Sequence, residues 1–196
     1  MKRSIIFAAV AAGVATAGAA GPAQAQSLEL RFNWWVPGKH LLRTQVAEPW
    51  IAAVSKATQG RVKISLSGSS LGAPQRQFDL VRNGIADIAM GAHGYTPQRF
   101  ILPSAAELPF MGDTAEALSV ALWRAYEKYF AAQNEYRGAV VLGLFTHGPG
   151  GLWSRNKPIR SLADLSGLKI RNGGGTQDKI VRALGAVGVT SPAPTS

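Results

Sequence analysis

The sequence predicts an α/β protein whose sheets are mixed but mostly parallel. Short runs of alternating apolar and polar residues, typical of half-buried strands, are separated by stretches with helical apolar spacing. Strands that alternate with helices along a chain favour parallel pairing. The 196 residues include no cysteine, so neither disulfides nor thiolate chemistry contribute.

The strands are predicted in chain order from this alternation. Alternating runs cover residues 28–32, 61–66, 88–90 and 168–171, and Val187 and Val189 begin a last strand. Residues 140–145 are apolar throughout, which predicts a central strand covered on both faces.

Helices are predicted between these strands. The first ends near Gly60 and buries one apolar stripe, formed by Leu42, Val46, Trp50 and Val54. The second starts at Pro74 and turns Phe78 and Val81 inward. Asp113 and Glu116 open a third helix of about 18 residues, with a capping-box-like start. This third helix carries on one face Leu118, Leu122, Tyr126 and Phe130. Ser161 and Asp164 have the same spacing before a one-turn helix, and a last helix starts near Thr176.

Residues 1–25 have the three parts of a cleavable secretory signal. Lys2 and Arg3 precede an apolar, alanine-rich run, and small residues place cleavage between Ala25 and Gln26. No later segment is long and apolar enough to span a bilayer, so the mature protein is predicted to be exported and not membrane-embedded. Its net charge falls from +10 to +8 on loss of the two basic residues. The remaining Lys and Arg are scattered, which argues against a nucleic-acid partner.

One alternative function is an exported serine hydrolase. Residues 68–72 fit G-x-S-x-G, with Ser70 as the nucleophile, between a predicted strand and a helix. Residues 147–151 resemble an oxyanion-hole loop, but this loop precedes the nucleophile in that fold and follows it here. His40, His93 and His147 lack metal-ligand spacing, and no cofactor-binding motif is present, so no metal or cofactor is predicted.

A candidate anion site follows the strand at residues 168–171. Arg171 ends this strand, three glycines follow, and a helix starts near Thr176. Arginine binds a carboxylate through two parallel hydrogen bonds, and backbone N–H groups at a helix start favour an anion. An ordinary surface arginine beside a turn explains the same pattern equally well.

Five segments together resemble the extracytoplasmic solute-binding proteins of tripartite ATP-independent periplasmic (TRAP) transporters, the C4-dicarboxylate-binding type. The most specific is S-L-A-D-L-S-G-L-K-I-R at residues 161–171, and the others lie at residues 60–64, 68–72, 80–88 and 107–110. The resemblance extends over about residues 28–186. It implies a two-domain venus-flytrap fold, a periplasmic location, a small organic acid as ligand and TRAP permease subunits as partners. An ABC-type binding protein is a further alternative.

The resemblance also implies site residues. Arg171 takes the position that pairs with the ligand carboxylate, and Asn172 and Gly173 adjoin it. Sialic-acid-type members carry a second arginine where Gly151 stands here, which disfavours that ligand and leaves other carboxylates open.

Loops after strands should face the cleft, so Trp35, His40, Tyr95 and Trp153 are further candidates. Packing for the two tryptophans, a helix start for His40 and a loop anchor for Tyr95 are the alternatives. The expected organisation is a signal at 1–25, an N-terminal domain at 26–147 and an incomplete second domain at 148–196.

Overall fold

The structure is a computed structural model that describes residues 27–155 and 157–193. The predicted signal peptide and its cleavage site between Ala25 and Gln26 lie outside these residues.

Two parallel sheets form the framework. The strands are β1 (Leu28–Asn33), β2 (Val62–Leu66), β3 (Ile88–Ala89), β4 (Lys169–Asn172) and β5 (Val187–Thr190). The first sheet has the order β2-β1-β3, and the second pairs β4 with β5. All three strand pairs are parallel, with Leu28 opposite Val62 and Lys169 opposite Val187. The predicted α/β class is therefore confirmed.

The helices connect these strands in the order expected from the sequence. The α-helices are α1 (Glu48–Ala57), α2 (Gln77–Arg82), α3 (Ala115–Ala125) and α4 (Gly175–Ala183). A π-helix at Leu42–Ala47 precedes α1, and another at Tyr126–Phe130 extends α3. Short 3₁₀ segments lie at Pro74–Arg76, His93–Tyr95, Leu102–Glu107, Ala131–Gln133 and Leu162–Leu165.

Each sheet has its own apolar core. The first lies where β1 ends and contains Phe32, Trp34, Trp35, Val36 and Ala47. The second lies between α4 and its sheet and contains Leu165, Val181 and Ala186. The first core sits at the carboxyl end of β1 and fixes the loop that leaves it, whereas residues of the second core precede β4 and β5.

The predicted strand at residues 140–145 is not formed. The segment pairs with no strand among the described residues, and Val140, Leu142 and Phe145 are exposed by 84%, 62% and 51%. An apolar run becomes a strand only when a neighbour accepts its backbone hydrogen bonds. The prediction of a central strand is wrong for this structure, because no strand in the part of the chain that the structure describes lies beside the segment.

The buried face of the first helix differs from the predicted stripe. Val46 and Trp50 are exposed by 50% and 36%, whereas Ala47 is buried and Ile51 packs against the core. The π-helical turn from Leu42 to Ala47 takes more residues than an α-helical turn, so it moves the inward position by one residue.

Two predicted helix details also change. Thr114, rather than Asp113, caps α3, because its side chain accepts a hydrogen bond from the Ala117 N–H at 3.2 Å. In α2 the buried residues are Gln77 and Leu80, and Phe78 and Val81 are half-buried. The capping box of Ser161 and Asp164 is present as predicted.

Candidate functional site

Three loops meet where β1, β3 and β4 end. The Trp35 and Tyr95 rings pack edge to face, with centroids 5.8 Å apart. The Trp35 indole N–H donates to the Met90 carbonyl at 2.9 Å, and Trp35 is 8% exposed. A Cβ added at Gly173 would lie 3.8 Å from the Tyr95 ring. The structure therefore brings together three of the predicted site residues, Trp35, Tyr95 and Gly173.

The backbones of two glycine loops touch at this place. A Cβ on Gly174 would lie 2.6 Å from the carbonyl oxygen of Gly94, and Gly174 has φ 84° and ψ −166°. Only glycine adopts that conformation readily, and only glycine leaves room for the approach. The glycine turn therefore joins the two sheets directly. Tyr95 adds a second link, because its hydroxyl accepts a hydrogen bond from the Ala193 N–H at 2.9 Å.

Asn172 is buried and holds this turn in place. Its Oδ1 accepts from the Gly174 N–H at 2.8 Å and from the Thr190 hydroxyl at 3.1 Å. Its Nδ2 donates to Asp178 at 3.0 Å. The hydrogen bonds from Arg182 and Asn172 hold the pKa of Asp178 below its usual value. Both polar atoms of the amide are thus engaged in shaping the start of α4.

Arg171 is exposed at the end of β4. Its Nη2 donates to the Ser191 carbonyl at 2.6 Å, and its Nε lies 3.4 Å from the Ser191 hydroxyl. A guanidinium has five N–H donors. These contacts orient the side chain and leave other donors of the fork for a ligand.

A cleft of about 400 Å³ opens beside the ends of β1 and β2. It is lined by residues 34–38 and 67–70 together with Arg43, Gly72 and Pro74. Its volume is within the range typical of small-molecule sites. Trp35 lines this cleft and also contacts Tyr95, so the cleft adjoins the meeting point of the three loops.

A buried amide pair, which the sequence analysis did not identify, fixes the wall of this cleft. Asn33 Nδ2 donates to Gln77 Oε1 at 2.6 Å, and both side chains are at most 1% exposed. Asn33 Oδ1 accepts from the Leu71 N–H at 2.9 Å, and Gln77 Nε2 donates to the Gly72 carbonyl at 3.3 Å. Alternation along β1 places Asn33 on the face opposite Phe32, so no local pattern in the sequence signals its burial.

His40 and Trp153 lie away from this meeting point. His40 Nδ1 accepts from the Leu42 N–H at 3.2 Å at the start of the helical segment, as its alternative role predicted. Trp153 is 94% exposed and lines a second cavity of about 280 Å³ together with residues 168–170. Ligand contacts of these two residues stay predictions.

His93 and Glu107 are half-buried, and each has a shifted pKa. Burial lowers the pKa of His93 from 6.5 to about 4, and its Nε2 is 2.8 Å from the Tyr136 hydroxyl within an aromatic cluster. Burial also raises the pKa of Glu107, which the charge of His147 and the Thr176 N–H partly oppose. Its Oε2 has no hydrogen-bond partner among the described residues, and it approaches the start of α4 near Gly175.

The geometry around Ser70 does not resemble a catalytic triad. Its exposed hydroxyl donates to the Gly72 carbonyl at 2.6 Å, and the His147 ring contacts the neighbouring Gly148 carbonyl. Within residues 27–155 and 157–193, no three potential metal ligands cluster, and no helix is long and apolar enough to cross a membrane.

Comparison with known proteins identifies related sequences. The sequence profile of the bacterial extracellular solute-binding proteins, family 7, matches residues 34–194. The outer membrane transporter protein TsaT of Comamonas testosteroni is 36% identical over 173 residues, which cover 88% of this chain and 51% of that protein.

Two solved structures are also similar. A TRAP periplasmic solute-binding protein from Bordetella bronchiseptica with bound (R)- and (S)-mandelate has a TM-score of 0.82 and 39% identity, covering 84% of this chain and 52% of that one. A TRAP solute-binding protein from Rhodoferax ferrireducens with copurified benzoate has a TM-score of 0.81 and 32% identity, covering 86% and 52%. The chain thus spans about half the length of these proteins.

Proposed function

The chain belongs to the bacterial extracellular solute-binding proteins of family 7, the DctP family, and we propose that it captures a small organic acid for a TRAP-type membrane permease. The family is a solute-binding component of transporters, and its extracytoplasmic role implies a periplasmic location. Delivery to a permease and export after cleavage between Ala25 and Gln26 are parts of this proposal.

The observation that carries the proposal is the meeting of loops from two parallel sheets beside Arg171. Ligands of open α/β sheets bind at the carboxyl ends of strands, and here Trp35, Tyr95 and Gly173 gather at those ends. Arg171 is the next-to-last residue of β4, and the start of α4 follows three residues after the strand ends. A carboxylate there receives charge-assisted hydrogen bonds from Arg171, and the Gly173–Thr176 backbone supplies further donors.

We propose an aromatic or other apolar monocarboxylate as the ligand. The solved relatives hold mandelate and benzoate, each of which has a ring and one carboxylate. Trp35 offers an apolar ring surface next to the cleft. Gly151 stands where sialic-acid-type members have a second arginine, which agrees with a ligand that has one acidic group.

The two sheets support the proposed division into domains at residues 147 and 148. β1, β2 and β3 lie before this point, and β4 and β5 lie after it. The loop contacts at Gly94 and Gly174 join the two sheets at the proposed ligand site, as expected for a cleft between two domains. We propose a binding role without catalysis, since Ser70 has no histidine partner among the described residues.

Isothermal titration calorimetry with benzoate on the exported chain tests this function. Arg171→Ala should weaken binding by about 2–4 kcal/mol, because the ligand charge loses its partner. Arg171→Lys should restore only part of the affinity, because lysine keeps the charge and loses the bidentate geometry. Lys169→Ala is the matched control, since both side chains are exposed on one face of β4. Equal affinities for wild type and Arg171→Ala would refute the carboxylate role of Arg171.

A further inference from the structure

Arg43 places a second cation in the binding region, on the wall of the cleft. Of the described residues that line the cleft, Arg43 alone is charged, and its side chain is 26% exposed. Gly38 lies beside it, because a Cβ added at Gly38 would be 3.8 Å from an Arg43 Nη atom. The π-helical segment before α1 carries Arg43.

The guanidinium is oriented but not saturated. Its Nε donates to Glu48 at 2.9 Å, which is its one side-chain hydrogen bond within the described part of the chain. Four of its five N–H donors therefore stay available. Because Glu48 balances its charge, Arg43 is suited to any oxygen acceptor, including a neutral hydroxyl, and does not require a second negative charge.

Other polar groups of the cleft agree with an oxygen-bearing ligand. The serine hydroxyls at residues 67, 69 and 70 line the same cleft.

We infer that Arg43 is a specificity-determining residue that binds a second oxygen function of the ligand, away from its carboxylate. This inference rests on the proposed function, in which Arg171 binds the carboxylate. It narrows the ligand class to monocarboxylates with an additional hydroxyl or keto oxygen, in preference to a plain benzoate.

The test compares benzoate, 3-hydroxybenzoate and 4-hydroxybenzoate by calorimetry on the wild-type chain and on Arg43→Ala. The wild type should prefer at least one hydroxybenzoate over benzoate. Arg43→Ala should reduce affinity for that acid about tenfold or more and leave benzoate within about twofold, because one hydrogen bond to a charged group is lost. Arg31→Ala, which removes an exposed, ion-paired arginine outside the cleft, should change neither.

The outcomes separate the inference from the proposed function. If Arg43→Ala weakens all three acids equally or none of them, while Arg171→Ala weakens benzoate binding as expected, only the inference is overturned. If Arg171→Ala leaves benzoate binding unchanged, or the wild type binds none of the acids, the proposed function fails and the inference fails with it. Circular dichroism and thermal unfolding of each variant show whether it is folded, and Arg43→Lys supplies a second variant that keeps the charge.

Discussion

The buried amide pair of Asn33 and Gln77 should contribute strongly to stability, because each side chain supplies a hydrogen-bond partner to the other. Asn33→Leu replaces the amide with an apolar group of nearly the same size, at a site with 0% exposure. It leaves Gln77 Oε1 and the Leu71 N–H without their partners, which lie at 2.6 Å and 2.9 Å in the wild type. Gln77→Leu likewise orphans Asn33 Nδ2.

The magnitude follows from the number of groups left unpaired. Each buried polar group without a partner costs about 1–3 kcal/mol, so each single substitution should destabilise the fold by about 2–4 kcal/mol. The double variant replaces both partners of the shortest bond with apolar groups. Its cost should therefore be smaller than the sum of the two single costs, by about 1–2 kcal/mol.

Urea unfolding of the four proteins measures this coupling. Gln75→Leu is the matched control, because Gln75 lies two residues before Gln77, is exposed, and should cost less than about 0.5 kcal/mol. Additive single effects, or losses no larger than that of the control, would refute the assignment of the pair as a coupled network.

Three further perturbations test other parts of the structure. Lowering the pH from 6.5 to about 4 should reduce the wild-type free energy of unfolding by up to about 3 kcal/mol. The reason is that His93 binds a proton in the unfolded state near pH 6.5 but in the folded state only near pH 4. In urea titrations at several pH values, His93→Gln should lack this part of the pH dependence. Gly174→Ala should cost at least about 3 kcal/mol in chemical unfolding through strain and a clash with a carbonyl, whereas Gly167→Ala, also at positive φ but in open space, should cost only about 1–2 kcal/mol. Thr114→Ala should lose about 1 kcal/mol of stability in the same assay, with Asp113→Ala as its control, because only Thr114 caps α3.

Each of these comparisons has an outcome that contradicts its reasoning. Parallel pH profiles for wild type and His93→Gln would mean that the histidine is protonated alike in both states. Equal losses of stability for Gly174→Ala and Gly167→Ala would mean that the close contact with Gly94 adds no cost to the substitution. A larger loss at Asp113 than at Thr114 would restore the cap predicted from the sequence.

Local patterns were sufficient to predict most of the framework. The alternation in residues 28–32 and 61–66 predicts β1 and β2, because one face of each strand is half-buried. The capping box at Ser161 depends on neighbouring residues alone and was likewise predictable. The turn after Arg171 and the helix start beyond it also follow from local chemistry.

The failures concern properties that depend on distant residues. Residues 140–145 have the composition of a strand, but pairing depends on a neighbour that no local pattern specifies. The role of Gln77 was missed because a polar residue in a core is recognisable only with its partner, which lies 44 positions earlier. Of the predicted site residues, Trp35, Tyr95 and Gly173 were found together because strand ends of parallel sheets converge, whereas Trp153 follows no strand in this structure.

The π-helical turn between Leu42 and Ala47 has an evolutionary consequence. Such a turn holds one residue more than an α-helical turn, so loss of a single residue here would convert it to regular α-helix without disturbing α1. Each residue advances an α-helix by about 100°. The deletion would therefore rotate Arg43 by about that angle relative to α1 and move its side chain away from the cleft wall. A one-codon deletion is thus a short route by which ligand preference can diverge among descendants while the scaffold is inherited unchanged.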